Sequence, residues 1–170
     1  QLHTDLGDAL RALDAASAVP GTSLHARTAR YLTALSQIEL KRHDDAFNTL
    51  KALQSEMRSA EVLNAMGVVQ LRRGGGPQSG RATFYFSQAS QTDNDDADYF
   101  FNLGYAYWLQ RDTQSAIHWL REAVRRNPAD GDAHYVLGGA LAAAAVATEA
   151  SRERELAHRL SSTYQQWEKR

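Results

Sequence analysis

The sequence predicts an all-α protein, an α-solenoid of antiparallel helix pairs. Three observations predict it. The pair Leu103-Gly104 returns as Leu137-Gly138, 34 residues later. Small residues and acids keep the same step: Ala106 to Ala140, Ala116 to Ala150, Ala123 to Ala157, and Asp96 and Asp98 to Asp130 and Asp132. Only three prolines interrupt 170 residues, and β-branched residues are few. A fixed period of this length, with small residues at set offsets, marks stacked helix–turn–helix units.

In chain order, residues 1–20 read as one unpaired helix. Leu6, Ala9, Leu10, Leu13 and Ala16 form its apolar stripe, and Pro20-Gly21 ends it. Residues 26–59 read as a degenerate unit. Tyr31, Ala34, Leu35 and Ile38 lie on its first helix, and Ala46, Leu50 and Leu53 on its second, across a turn one residue shorter than the later ones. Residues 60–96 form a unit whose second half is clear: Ala82, Phe86, Ala89 and Asn94 stand 34 residues before Ala116, Leu120, Ala123 and Pro128. On its first helix Met66-Gly67 stands 37 residues before Leu103-Gly104, and Gly74-Gly75-Gly76-Pro77 is the place for the three extra residues.

Residues 97–130 carry the best unit, with Phe100, Leu103-Gly104, Ala106-Tyr107, Ala116, Leu120, Ala123 and Pro128. Gly104 and Ala116 allow two backbones to approach. Phe100 and Tyr107 fill the space between units. Pro128 stops the second helix, because it has no N–H and disfavours helical geometry at Asn127. Residues 131–170 begin well with Leu137-Gly138 and Ala140-Leu141, then change character. His134 replaces the bulky residue and takes a core or inter-helix place. Arg154 falls where Leu120 sat, as expected of a polar terminal helix. Leu156, Leu160, Tyr164 and Trp167 continue as one stripe of a long capping helix.

These landmarks resemble the tetratricopeptide repeat. The likeness spans about residues 26–167 and is specific over 97–141. It implies a right-handed superhelix whose first helices line a concave face. The chain lacks an initial Met and opens within a repeat, so it reads as a segment of a longer, bacterial protein; sixteen arginines against three lysines fit a GC-rich genome.

Composition narrows the function. Net charge is −1 and no basic run exceeds two residues, which argues against nucleic acid as the main partner. With no Cys, disulfides, thiolate catalysis and Cys-type zinc sites are excluded, and cytoplasm and periplasm both remain open. No apolar run has transmembrane length, so membrane insertion is not expected.

Chemical motifs are incomplete. Gly75-x4-Gly80-Arg81-Ala82 lacks the Lys and Ser/Thr of a phosphate loop and reads as an inserted turn. Asp93 to Asp98 lacks the Gly and Glu of a calcium loop, and its acids suit helix capping. The six histidines include no i, i+4 pair and no HExxH motif, and G-x-S-x-G is absent. Glu155 and Arg159 read as an i, i+4 pair on a solvated face. No enzyme activity, cofactor or metal is expected.

A second apolar stripe on the best unit's first helix is the functional signal. Phe101, Tyr105 and Trp108 follow at spacings of four and three, displaced by one residue from the packing stripe. The resemblance places such a stripe in the groove. Equivalent positions are Tyr135, Gly139 and Ala142 in the next unit, and Asn64, Val68 and Leu71 in the preceding one. Gly139 and Ala142 leave room for a pocket beside Tyr105 and Trp108. Glu61, Asp98 and Asp132 fall at equivalent places and would form an acidic lip.

Asn64 and Asn102 match part of the pattern by which one subgroup of the family holds a terminal carboxylate. Asp132 and Val136 stand at the matching basic places, so such a terminus would be repelled. The expected function is a non-catalytic scaffold binding a peptide or helix of another protein. The alternative is a structural segment whose groove is filled internally, or which self-associates through Leu6, Leu10 and Leu13 at an open N-terminal end.

Overall fold

The computed structural model describes Arg11 and residues 24–73 and 77–161. Among these it forms eight α-helices and no strand: α1 (Leu24–Glu39), α2 (His43–Glu56), α3 (Ala60–Arg72), α4 (Pro77–Thr92), α5 (Ala97–Leu109), α6 (Thr113–Arg126), α7 (Gly131–Ala143) and α8 (Ala147–Leu160). This is the all-α solenoid architecture of successive helix pairs. The chain divides into two compact units between Tyr85 and Phe86. The stripe expected over residues 1–20 lies outside the described residues except for Arg11, as do Gly74, Gly75 and Gly76.

In the first unit, α1 packs on α2 and α2 on α3. Ala34, Ile38, Ala46, Leu50, Leu53, Val62, Ala65, Met66 and Val69 form one buried cluster, edged by Tyr31, Leu35, Phe47, Val68 and Tyr85. Arg30 grips both carboxylate oxygens of Glu56, tying α1 to the end of α2. Such exposed pairs add little stability each, but they fix register.

In the second unit, α5 packs on α6, α6 on α7 and α7 on α8. The core gathers Ala116, Ile117, Leu120, Leu137, Ala140, Leu141 and Ala150, with Tyr107 and Trp108 against it. Phe100 packs with Ala123 and Ala133, so it bridges one helix pair and the start of the next. Arg126 lies 3.6 Å above the Phe100 ring and donates to the Asn94 carbonyl at 2.7 Å.

One turn recurs within the helix pairs. Lys41, Arg111 and Ala145 have φ of 59°, 63° and 61°, the left-handed region usually left to glycine. The N–H groups of Arg111 and Asp112 donate to Trp108 and Tyr107 at 3.0 and 3.1 Å, and those of Ala145 and Val146 to Ala142 and Leu141 at 3.0 and 2.9 Å. The α1–α2 turn repeats this pattern, with Lys41 and Arg42 donating to Ile38 and Gln37. The turn expected to be one residue short therefore has the same length as the α5–α6 and α7–α8 turns. Carbonyls at the end of one helix are satisfied within three residues of the next helix's start.

Acids cap the helices as expected. Asp96 accepts from the Asp98 N–H at 2.9 Å, and Asp130 from Asp132 and Ala133 at 2.9 and 3.1 Å. His134 is buried, with Nδ1 2.5 Å from Glu153 and Nε2 3.0 Å from the Pro128 carbonyl, joining α7 to α8 and to the preceding turn. Glu155 accepts from Arg159 at 2.6 Å. After Leu160, Ser161 is extended (φ −143°, ψ 121°), so the stripe expected to run on as one helix is interrupted there. Tyr164 and Trp167 lie outside the described residues.

The glycines of the repeat mark its tightest contacts. A Cβ on Gly104 would come 2.7 Å from Leu120 Cγ and 2.9 Å from its backbone nitrogen. One on Gly138 would meet Arg154 Cγ at 3.0 Å and the Ala150 carbonyl at 3.2 Å. Gly104→Ala should cost about 2 kcal/mol by overpacking, and Gly138→Ala less, because part of its clash is with a flexible stem. Urea denaturation of both variants checks the ranking.

Glu122 accepts from Arg125 and Arg126 at 2.9 and 2.5 Å, and these hydrogen bonds lower its pKa to about 2. A lowered folded pKa contributes stability above the ordinary value of 4.5 that is lost as pH falls toward about 2. Glu122→Gln should lose about 0.5 kcal/mol at neutral pH. That deficit should vanish in acid, as urea midpoints measured across the interval would show.

Candidate functional site

The second unit positions its site on α5 and α7. Leu103, Gly104, Ala106 and Phe100 are buried, which commits one face of α5 to the core. The neighbouring face then carries Phe101, Tyr105 and Trp108, all partly exposed. Phe101 and Tyr105 stack with ring centroids 6.0 Å apart and planes 10° from parallel. Phe101 also packs against the core, so it supports the row more than it opens it.

Tyr105 and Trp108 line a pocket of about 460 Å³ together with Tyr135, Val136, Gly139 and Arg154. Gly139 lies beside the indole: a Cβ there would stand 3.8 Å from Trp108 Cζ2, an ordinary contact, so only a side chain longer than a methyl would enter the pocket. The pocket thus joins α5, α7 and α8. Ala142, at the end of the same stripe, is exposed and does not line it.

Asp98 and Asp132 are exposed on the first turns of α5 and α7. The Asp98 carboxyl has a raised pKa, first from partial burial, then from the neighbouring charges of Asp96 and Asp130. Asp132 is raised for the same reasons, burial first and Asp130 second. Both would be relieved by a cation. Asn102 is partly exposed one turn after Asp98.

Glu61, Asn64 and Val68 belong to the first unit. Glu61 is exposed, Asn64 partly so, and Val68 packs on the edge of that unit's core. Glu61 lines a separate pocket of about 280 Å³ with Arg27, Thr28, Tyr31, Leu53, Met57, Ser59 and Val62. Burial, and then the Glu61 charge, push the Tyr31 phenol up.

Sequence reasoning misses Arg154 at the site. Its pattern suits a polar terminal helix, yet it lines the second unit's pocket. The signal available is its register with Leu120, a packing position opposite the glycine of the first helix.

The sequence matches the tetratricopeptide repeat family model over residues 3–61, 71–130 and 101–153. The chain belongs to the tetratricopeptide repeat family. No curated protein matches it in sequence. Among solved structures it is similar to MamA, at 17% identity and a TM-score of 0.73, covering 82% of this chain and 81% of that one. It is also similar to YrrB, described as a TPR protein with an unusual peptide-binding site, at 19% identity and a TM-score of 0.68 over 81% and 70% of the two chains. TTC0263, a thermophilic TPR protein in Thermus thermophilus, aligns at 15% identity and a TM-score of 0.68 over 80% and 74%. Identities this low establish shared fold. Proteins of this repeat class generally mediate protein–protein interaction. Among the described residues no helix is long and apolar enough to cross a membrane.

Since a Cβ at Gly139 meets only ordinary contact with Trp108, Gly139→Ala should fold normally. It should gain about 0.5–1 kcal/mol from helix propensity. A thermal melt that falls instead would mean that the helix needs glycine there.

Proposed function

We propose that the protein is a non-catalytic interaction scaffold that receives a peptide or helix of a partner protein along the α5–α7 face of its second unit. The observation that carries this is the aromatic row Phe101, Tyr105 and Trp108, partly exposed and opening with Tyr135 on a pocket that Gly139 keeps free. Rigid aromatic side chains give large contact area at low entropic cost, and they dominate the energetics of interfaces. Such a face on preformed helices needs little reorganisation to bind.

Asp98 and Asp132 flank this row and favour a segment with Lys or Arg beside its apolar anchors. Asn102 supplies an amide on the same helix. In the first unit, Glu61, Asn64 and Val68 offer the corresponding acid, amide and apolar group on α3. The solved relative described with a peptide-binding site supports the reading, as an instance of this fold taking a peptide.

A peptide selected on the protein from a random display library would test it. Trp108→Ala should weaken that peptide by about 2 kcal/mol while helicity is retained. An unchanged affinity in the folded variant would remove the aromatic row from the function.

A further inference from the structure

Arg154 stands in the wall of the α5–α7–α8 pocket, and among the described residues no acid pairs with it. Helix α8 has three acids, and each is engaged elsewhere. Glu149 accepts from Arg121 at 2.8 Å, Glu153 meets His134 at 2.5 Å, and Glu155 accepts from Arg159 at 2.6 Å. Among the described residues none pairs with Arg154, which is exposed. Its stem is nevertheless held, because Cγ lies against Gly138 as Leu120 lies against Gly104. Leucine at this register would do the packing alone. Arginine packs its stem in the same place and adds a cation beside an aromatic-lined opening. Packing of the first carbons reduces the entropy lost when the guanidinium is engaged.

The opposite charge lies toward the helix starts. Asp132 precedes Tyr135 by three residues and Asp98 precedes Tyr105 by seven. These separations are about 5 and 10 Å along the helix axes. Burial and neighbouring acids raise the pKa of both carboxyls, so each gains from a cation. The site therefore has a positive end at Arg154 and a negative end at Asp98 and Asp132.

We propose that the pocket takes an apolar side chain of a partner peptide whose adjacent residue is Glu or Asp, with that carboxylate on Arg154 and a Lys or Arg of the same peptide toward Asp98 and Asp132. This rests on the peptide-binding reading above and adds direction to it, since a reversed segment would place like charges together. Arginine matches a carboxylate with two parallel N–H donors. An internal acid is favoured over a chain terminus. A terminal carboxylate is attached to the anchor residue itself and would be desolvated at the pocket mouth with one donor group. A side-chain carboxylate meets the exposed guanidinium while still solvated.

The probes are short acetylated and amidated peptides with a central Phe, Leu or Trp. Glu, Gln or Lys follows it, and Lys or Ala stands about three residues before it, the ~10 Å span of an extended chain. Fluorescence polarisation reads binding to the whole chain. Peptides with Glu should bind about fivefold more tightly than those with Gln. Arg154→Met, which keeps a stem over Gly138, should erase that ratio, and Arg154→Glu should favour Lys instead. Equal binding of Glu and Gln peptides by the native chain overturns the proposal. So does a ratio that survives in Arg154→Met, or stronger binding of a peptide ending in a free carboxylate after the anchor.

Gly139→Leu, which fills the pocket, separates this failure from the broader one. If it abolishes all binding while the native Glu-to-Gln ratio is one, only the assignment of Arg154 falls. If no peptide binds the native chain, or if binding survives the filled pocket, the peptide-binding reading falls with it.

Discussion

The close approach of the two helices within a pair is the constraint on which the second unit depends. Gly104 admits Leu120 so closely that even a methyl group would reach its backbone. At that separation dispersion contacts are near their optimum, and interdigitation replaces a looser layer of side chains. Once the Gly104 face of α5 is committed to α6, the adjacent face is fixed as well. It carries Phe101, Tyr105 and Trp108, and it meets α7 where Gly139 leaves space. The aromatic row is a geometric consequence of the packing stripe beside it.

The same contact in the last pair has a different partner. Gly138 meets the stem of Arg154, so a packing position also carries charge. His134 reinforces that pair from within, held between Glu153 and the Pro128 carbonyl. A buried imidazole with both nitrogens engaged fixes α8 against α7 and against the turn before it, which in turn fixes where Arg154 enters the pocket wall. Structural and recognition residues are thus coupled through α8.

Connections add regularity that is independent of the core. In each three-residue turn, the residue after the left-handed position both closes the preceding helix and stands at the cap of the next. Asp112 donates its N–H to Tyr107 and accepts from Ser115 at 3.1 Å. Short turns of this kind leave little freedom in how a pair is joined, so close packing at Gly104 and turn geometry at Arg111 reinforce each other.

The helix pairs, their order and their buried residues were legible in the sequence because burial at close contacts constrains residue type. Glycine, alanine and leucine recur at a fixed period for that reason, and Ala34, Ala46, Phe86, Leu103 and Leu137 are buried as their spacing predicts. The acidic caps were legible for a similar reason, since few side chains can accept from a helix's first N–H groups. The left-handed turns were not: Lys41, Arg111 and Ala145 are not the glycine that such a conformation usually announces. Nor was the place of Arg154. A charged residue on a polar helix has the same pattern whether it faces water or lays its stem across a glycine and lines a pocket. That choice depends on the distance between two backbones, which the order of residues along one helix does not contain and the packing of α7 against α8 decides.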